Sequence, residues 1–475
     1  MPEKYYVTTP IYYVNDKPHL GHAYTTLCAD VLARYFRLSG SEVFFLTGTD
    51  EHGAKVQQSA EKAGLTSQEF VDMNATKFKQ AWSNLNITND YFIRTSDKQH
   101  EQVVRELFQK IYDKGYIYEG NYEGLYCVGC EKFLQEDDLV QGKCPFHPNE
   151  EPVHQQEKNY FFKLSTFRDY LLKAIEQGEY EICPESRKNE VLGKIKKGLE
   201  DVSFSRAGVT WGITIPWDDT QTIYVWVDAL INYYSATVFT KAGAGYWPAN
   251  LHLMAKDILW FHAIIWPAML KAADLPLPRK IAAHGFFTVD GQKMSKSIGN
   301  VIDPNDLIKE FGVDAARYLV MAELPFASDG DVSLARFKQR YQADLANGVG
   351  NTFSRLTNMI EKYGVIWPSE SIKDKVAKEI AQYVESLAFN DWLSYLGSRL
   401  RIIDQAIEQN APWQMYKDGK VEEVQKLLGV CADQLKVVAF YLQPVMPESA
   451  AKVYQALAQD KITKAEPLFP RLNII

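Results

Sequence analysis

Two short segments carry residues whose types and spacing suit phosphate chemistry. In His19-Leu20-Gly21-His22 two imidazoles sit three residues apart around a glycine, directly after Pro18. Read as a helix start, this places both rings on one helical face beside backbone N–H groups that attract anions, and the glycine leaves room for a flat base. In Lys293-Met294-Ser295-Lys296-Ser297 two ammonium groups ride on a loop between Gly291 and Gly299, and the glycines allow that loop to move. Two mobile cations suit a triphosphate leaving group. A third constellation is of another kind. Cys127-Val128-Gly129-Cys130 and Cys144-Pro145-Phe146-His147 supply three thiolates and one imidazole, the set and spacing of a closed tetrahedral zinc site. Four protein ligands leave no place for water, so one such zinc ion is structural and stiffens the chain around it. Taken singly, the first two segments also read as helix-start histidines and a solvated lysine loop.

The elements that must hold these residues are legible in outline. At 475 residues the chain exceeds the size at which one core keeps growing, so two to four domains are expected. A 46% hydrophobic and 24% charged composition is that of an ordinary globular protein. A net charge of −8 argues against a protein wrapped in nucleic acid, although local basic patches suffice to bind phosphates. No span approaches the roughly 20 apolar residues of a membrane helix, the N-terminus reads straight into a strand with no leader-like segment, and the cysteine pattern suits a metal better than disulfides. No membrane association is expected, and the cytoplasm is the expected compartment.

Residues 5–14 alternate as a strand, His19–Phe36 reads as a helix, and Val43–Leu46 as a second, buried strand, the opening of a parallel nucleotide-binding type of sheet. From Tyr116 to about Trp217 the character changes to aromatics, glycines, the cysteine cluster and the basic run Lys194–Lys197, as in an insertion. From Thr222-Ile223-Tyr224-Val225-Trp226-Val227 to Ile281-Ala282-Ala283 strands and helices alternate again, as if the sheet resumes, and beyond Pro304 apolar residues recur at helical spacing over Asp306–Phe311, Ala343–Tyr363, Val376–Gln409 and Val421–Leu442. The fold class is therefore α/β, with a split Rossmann-type parallel sheet, a connective insertion bearing the zinc knuckle, and an all-α bundle at the end.

The two phosphate-handling segments, at the ends of a split α/β sheet, match the paired signatures of class I aminoacyl-tRNA synthetases. Thr8-Thr9-Pro10-Ile11-Tyr12-Tyr13-Val14-Asn15, Gly48-Thr49-Asp50-Glu51-His52-Gly53 and Tyr224-Val225-Trp226-Val227-Asp228-Ala229 are similar to blocks of the methionyl enzymes, so the chain is identified as a member of the methionyl-tRNA synthetase family over nearly its whole length. The resemblance implies ATP-dependent ligation of L-methionine to its initiator and elongator tRNAs through a methionyl-adenylate, with release of pyrophosphate and AMP. It implies catalytic roles for His19, His22, Lys293 and Lys296, with Gly21, Lys256 and Asp257 also contacting ATP and Mg²⁺ accompanying the nucleotide. Ile11, Tyr13, Trp226, Ala229, Tyr233, Ile258, His262 and Trp266 become the methionine pocket and Asp50 the partner of its ammonium group. Aromatic edges around a thioether are physically apt. Cys127, Cys130, Cys144 and His147 become the zinc ligands, and Asn351, Arg355 and Trp413 the anticodon readers.

The implied domains are 1–116 and 218–290 for the two catalytic halves, 117–217 for the insertion, 291–345 for the lysine loop and stem-contact region, and 346–475 for the anticodon-binding bundle. The chain stops at Ile475 without the appended tRNA-binding domain through which many family members dimerise, so a monomer is expected. Two rivals are weighed. A class I synthetase for another aliphatic amino acid carries a larger editing insertion than 117–217 allows, and a non-catalytic tRNA-binding paralogue need not keep both signatures intact.

Overall fold

The computed structural model describes residues 2–14, 17–127, 132–134, 139–140, 142–145, 151–294, 300–367, 374–459 and 461–472. The chain forms two compact units: residues 1–18, 41–83 and 88–284 in one, and 19–40, 84–87 and 285–475 in the other.

The first unit is built on a six-stranded sheet whose order across the sheet is Tyr91–Arg94, Glu42–Asp50, Lys4–Tyr13, Leu251–Ala255, Lys280–His284, Glu181–Cys183. Every pairing in it is parallel. Strand Lys4–Tyr13 meets a strand from the second half of the unit, with Val7 opposite Leu251 and Thr8 opposite His252. The sheet is thus continuous in space and split in sequence. Phe44, Phe45 and Leu46 are all buried, the unbroken apolar run expected of a strand covered on both faces. Gly48 has to be glycine because a Cβ there would lie 2.0 Å from the Ile93 carbonyl oxygen on the neighbouring strand.

Within 222–283 the sheet resumes at Leu251–Ala255 and Lys280–His284, not at residue 222 itself. Asp218–Ile223 joins a small antiparallel sheet with Thr214–Ile215 and Ser205–Arg206, and Val225 already begins the helix Val225–Phe239. That helix is buried nearly all round, so its apolar run lacks the periodicity that separates a buried helix from a buried strand. Within 117–217, Ile117–Cys127 and Val153–Phe162 form an antiparallel pair running from Ile117 opposite Phe162 to Tyr126 opposite Val153. The edge strand Glu181–Cys183, from the same stretch, adds to the main sheet.

The second unit is mainly helical. Helix Leu20–Leu38 packs on Val313–Glu323, which in turn packs on Phe389–Asn410. Asn351–Lys362, Val421–Leu442 and Pro447–Leu457 complete the bundle. The periodic run over 376–409 is two helices, Asp374–Glu385 and Phe389–Asn410. The first ends with the Ala388 N–H returning to the Tyr383 carbonyl at 2.9 Å and the Leu387 N–H to Val384 at 3.2 Å, around Leu387 at φ +57°. This is the double-bonded helix stop that usually employs glycine. Among the described residues, no helix is long and apolar enough to cross a membrane.

Candidate active site

In the sheet unit, most of the residues expected to bind the amino acid meet near the C-terminal ends of the central strands, where parallel sheets bind ligands at a switch in strand order. Ile11 and Tyr13 close strand Lys4–Tyr13, Asp50 closes Glu42–Asp50, and Lys256, Asp257 and Ile258 follow Leu251–Ala255. Trp226, Ala229 and Tyr233 lie on helix 225–239, while His262 lies in a single wide π-helical turn, Phe261–Ile265, that runs into Trp266. Such turns are rare and recur at functional sites.

Hydrogen bonds fix the state of His262. Its Nδ1 is 2.9 Å from the Ile258 carbonyl oxygen, which can only accept, so Nδ1 carries the proton and Nε2 accepts from the Tyr233 hydroxyl at 2.7 Å. Burial lowers the His262 pKa to about 4, which keeps this ring neutral at physiological pH. Trp226 stacks on Phe261 at 4.0 Å with an interplanar angle of 4° and stands edge-on to His262 at 6.5 Å. Trp266 lies 6.2 Å from Tyr233, and its indole N–H donates to His252 Nε2 at 3.4 Å, while His252 Nδ1 meets the Thr8 hydroxyl at 2.8 Å. The arrangement is an apolar aromatic box with a neutral Tyr–His pair in its wall, and the buried carboxylate Asp50 belongs to the same unit.

In the helical unit, His19 is the N-cap of helix Leu20–Leu38. Its Nδ1 accepts the Gly21 N–H at 3.1 Å, and its own N–H donates to His22 Nδ1 at 3.3 Å. The rings stack at 3.8 Å, and a Cβ at Gly21 would come within 3.0 Å of the His19 ring. With both Nδ1 atoms accepting, each neutral ring keeps its proton on Nε2. Burial lowers the His19 pKa to about 4, and burial together with His19 lowers that of His22. The pair therefore offers neutral N–H donors rather than charge. Lys293 ends the short hairpin Phe287–Val289 with Gln292–Lys293. Asp331 pins this hairpin, accepting from the Thr288 hydroxyl at 2.6 Å and the Gly291 N–H at 2.7 Å. The chain beyond the loop returns to the histidine segment, with the Leu20 N–H donating to the Ile302 carbonyl at 3.0 Å. The histidine segment and the hairpin that ends at Lys293 both belong to this unit. Lys296 lies outside the described residues.

Of the expected zinc ligands, Cys127 and Cys144 are buried together in one small cluster with Leu134, and Leu139 packs against it. Cys130 and His147 lie outside the described residues. Among the expected anticodon readers, Arg355 stands four residues after Asn351 on helix Asn351–Lys362. Its guanidinium lies 5.9 Å from the Trp413 ring and pairs with Glu408 at 2.6 Å. Trp413 is 39% exposed, and one turn further on Tyr416 stacks against Tyr363 at 4.7 Å.

Sequence reasoning passed over three groups of residues. Phe261 and His252 complete the aromatic box. Glu51 pairs with Arg94, and His52 and His100 hydrogen-bond the two carboxylate oxygens of Asp228, next to Asp50 in the chain or beyond it. Asp30 and Arg317 make a fully buried pair in the helical unit. Glu51, His52 and Asp228 fall inside the recognised blocks, where their charge was a signal; Arg94, His100 and Arg317 sit in segments with no pattern to mark them.

The pattern of a family described as "tRNA synthetases class I (M)" matches residues 5–152 and 147–357. The methionine–tRNA ligase of Streptomyces coelicolor is 43% identical over 522 aligned residues, covering 99% of this chain and 97% of that one. That of Synechocystis sp. is 42% identical, covering 95% and 89%. The solved structure of Mycobacterium tuberculosis methionyl-tRNA synthetase in complex with methionyl-adenylate aligns with a TM-score of 0.91 at 35% identity, covering 98% of this chain and 99% of that one. The chain belongs to the methionyl-tRNA synthetase family of class I tRNA synthetases.

Proposed function

We infer that this chain is a methionine–tRNA ligase that activates L-methionine with ATP and passes it to methionine tRNA, both initiator and elongator. The carboxylate of methionine attacks the α-phosphorus of ATP in line and pyrophosphate leaves. The terminal ribose hydroxyl of the tRNA then attacks the carbonyl carbon of the adenylate and AMP leaves. Neither step needs a covalent bond to the protein, so the chain's contribution is positioning and electrostatic stabilisation. The observation that carries this reading is the family match over nearly the full length of whole enzymes, joined to a neutral Tyr233–His262 pair set in an aromatic box.

Trp226, Ala229, Tyr233, His262 and Trp266, with Ile11, Tyr13 and Ile258, take the thioether, and Asp50 takes the ammonium group. His19 and His22 donate from neutral Nε2 atoms to the phosphates, where a cation is not required of them. Lys293 and Lys296 supply the positive charge as pyrophosphate departs, and Lys256, Asp257 and Gly21 border the nucleotide. Mg²⁺ enters with ATP and neutralises its phosphates. Cys127, Cys130, Cys144 and His147 hold one structural zinc; the burial of two of the thiols in one cluster fits that donor set. Asn351, Arg355 and Trp413 read the anticodon, by stacking and by contact with base edges, as unpaired RNA is usually read. The domain limits given above, a monomeric state and a cytoplasmic location complete the reading.

Methionine-dependent exchange of pyrophosphate into ATP tests it. His22→Asn and Lys296→Ala should each lower the exchange rate by roughly 10²-fold, the range for removing one donor to transition-state charge, while KM for methionine stays within a small factor. Equal losses in both constants, or exchange driven by leucine or valine, would contradict the assignment.

A further inference from the structure

Asp50 ends its strand, and the two residues that follow it each run into a buried ionic contact. Glu51 is completely buried. Its carboxylate accepts two bonds from Arg94, both at 2.8 Å, one from the Thr49 hydroxyl at 2.6 Å and one from the Ser96 hydroxyl at 2.5 Å. Its main-chain N–H donates to the Thr95 hydroxyl at 2.9 Å, and its carbonyl accepts the Trp211 indole N–H at 2.5 Å. Arg94 is itself held by Asp72 at 2.6 Å.

His52 points into a second clamp. Its Nδ1 is 2.6 Å from one carboxylate oxygen of Asp228, and the other oxygen is 2.7 Å from His100 Nε2. His100 Nδ1 is 2.7 Å from the Ser235 hydroxyl. Asp228, His52 and His100 are all buried. Burial alone would pull the His52 pKa down, but Asp228 outweighs it and the value is raised, while the two histidines lower that of Asp228 against the effect of its own burial. Both shifts favour the charged form of each partner. Asp228 also lies on the helix that carries Trp226, Ala229 and Tyr233. One carboxylate thus ties the Asp50 loop to the wall of the side-chain box.

A largely buried network of this kind is a poor source of net stability, because desolvation of the charges offsets their attraction. It is well suited to fixing geometry. We propose that Asp228 and Arg94 are positioning residues for the amino-acid site: by locking His52 and Glu51, the two residues that directly follow Asp50, they hold its carboxylate ready for the ammonium group of methionine. The inference rests on the reading of Asp50 given above. Without the clamps the loop has to order when methionine arrives, and binding weakens by that amount.

The test compares methionine with 4-(methylthio)butanoate, the same acid without its amine, as a competitor in pyrophosphate exchange. Asp228→Asn keeps the shape and removes the charge. It should raise KM for methionine about tenfold, below the 10²-fold that a misplacement of about 1 Å can cause, while leaving the inhibition constant of the deaminated acid and KM for ATP unchanged. Arg94→Lys, on the other clamp, should give the same split and carries the proposal alone if Asp228→Asn does not fold. Equal weakening of both ligands, or no change in either, would overturn it. Asp50→Asn is the reference. If it erases the preference for methionine while the clamp variants retain that preference, the proposal fails alone. If it retains the preference, the reading of Asp50 fails and the proposal with it.

Discussion

Arg317 has no exposed surface, and all three of its guanidinium nitrogens are bonded. Its Nη2 pairs with Asp30 at 2.7 Å and donates to the Pro444 carbonyl at 2.9 Å, Nη1 donates to Leu85 at 2.9 Å, and Nε donates to Val445 at 2.8 Å. The fork joins the helix that begins at the histidine signature to the turn between helices 421–442 and 447–457. Arg317→Met preserves volume and removes every donor. Asp30 is not abandoned, because Arg34 still reaches it at 2.8 Å, but three buried carbonyls lose their partners at about 1–3 kcal/mol each when nothing replaces them. Breaking a buried pair from one side typically costs about 3–5 kcal/mol, and relaxation keeps the sum of the carbonyl losses within that range. At about 2–4 °C per kcal/mol for a unit of this size, the melting transition of the helical unit should fall by about 10 °C. A chain of two units need not melt in one step, so hydrogen exchange should locate the loss, with faster exchange in helices 20–38, 313–323 and 447–457 and little change in the sheet strands. Adding Asp30→Leu should restore part of the loss, since an apolar replacement of the whole pair removes both desolvated charges. A fall of less than about 1 kcal/mol, or loosening confined to the sheet unit, would refute the reasoning.

Two further outcomes follow from the same structure. Burial depresses His19 and His262 to about 4 and lowers His22 and His252 as well. The unfolded chain takes up these protons first, so stability should fall as pH drops from about 6.5 towards 4, by on the order of 2 kcal/mol at pH 5 from His262 alone. His52 is shifted upwards, so its share of stability is present at low pH and is lost as pH rises through its folded value. Denaturant midpoints from pH 7 to 4.5 should show the net decline, His262→Gln should flatten part of it, and a level profile would contradict it. Metal analysis should find one zinc per chain; its removal by a chelator, or Cys127→Ser, should speed hydrogen exchange within residues 117–217, and a purified protein without zinc would end the structural-metal reading.

The sequence alone marked the segments whose pattern is local. Two histidines around a glycine at a helix start are an N-cap pair in the structure, and the lysine loop and the CxxC–CxxH pair are marked as candidates by spacing alone, because such patterns are set within a few residues. The strands at 4–13 and 42–50 and the helix at 421–442 were legible for the same reason, as short-range periodicity. Other features were decided only by tertiary structure. Leu387 ends a helix in a conformation usually left to glycine, inside an apolar repeat that reads as continuous. Helix Val225–Phe239 is buried nearly all round except in its last turn, so burial erased the polar face that would have marked it as a helix. Glu51 and His52, which follow Asp50, found Arg94 and Asp228 on other elements, and Asp30 found Arg317 across the helical unit. A buried charge is identified by its partner, and the distance in sequence between such partners is set by the fold.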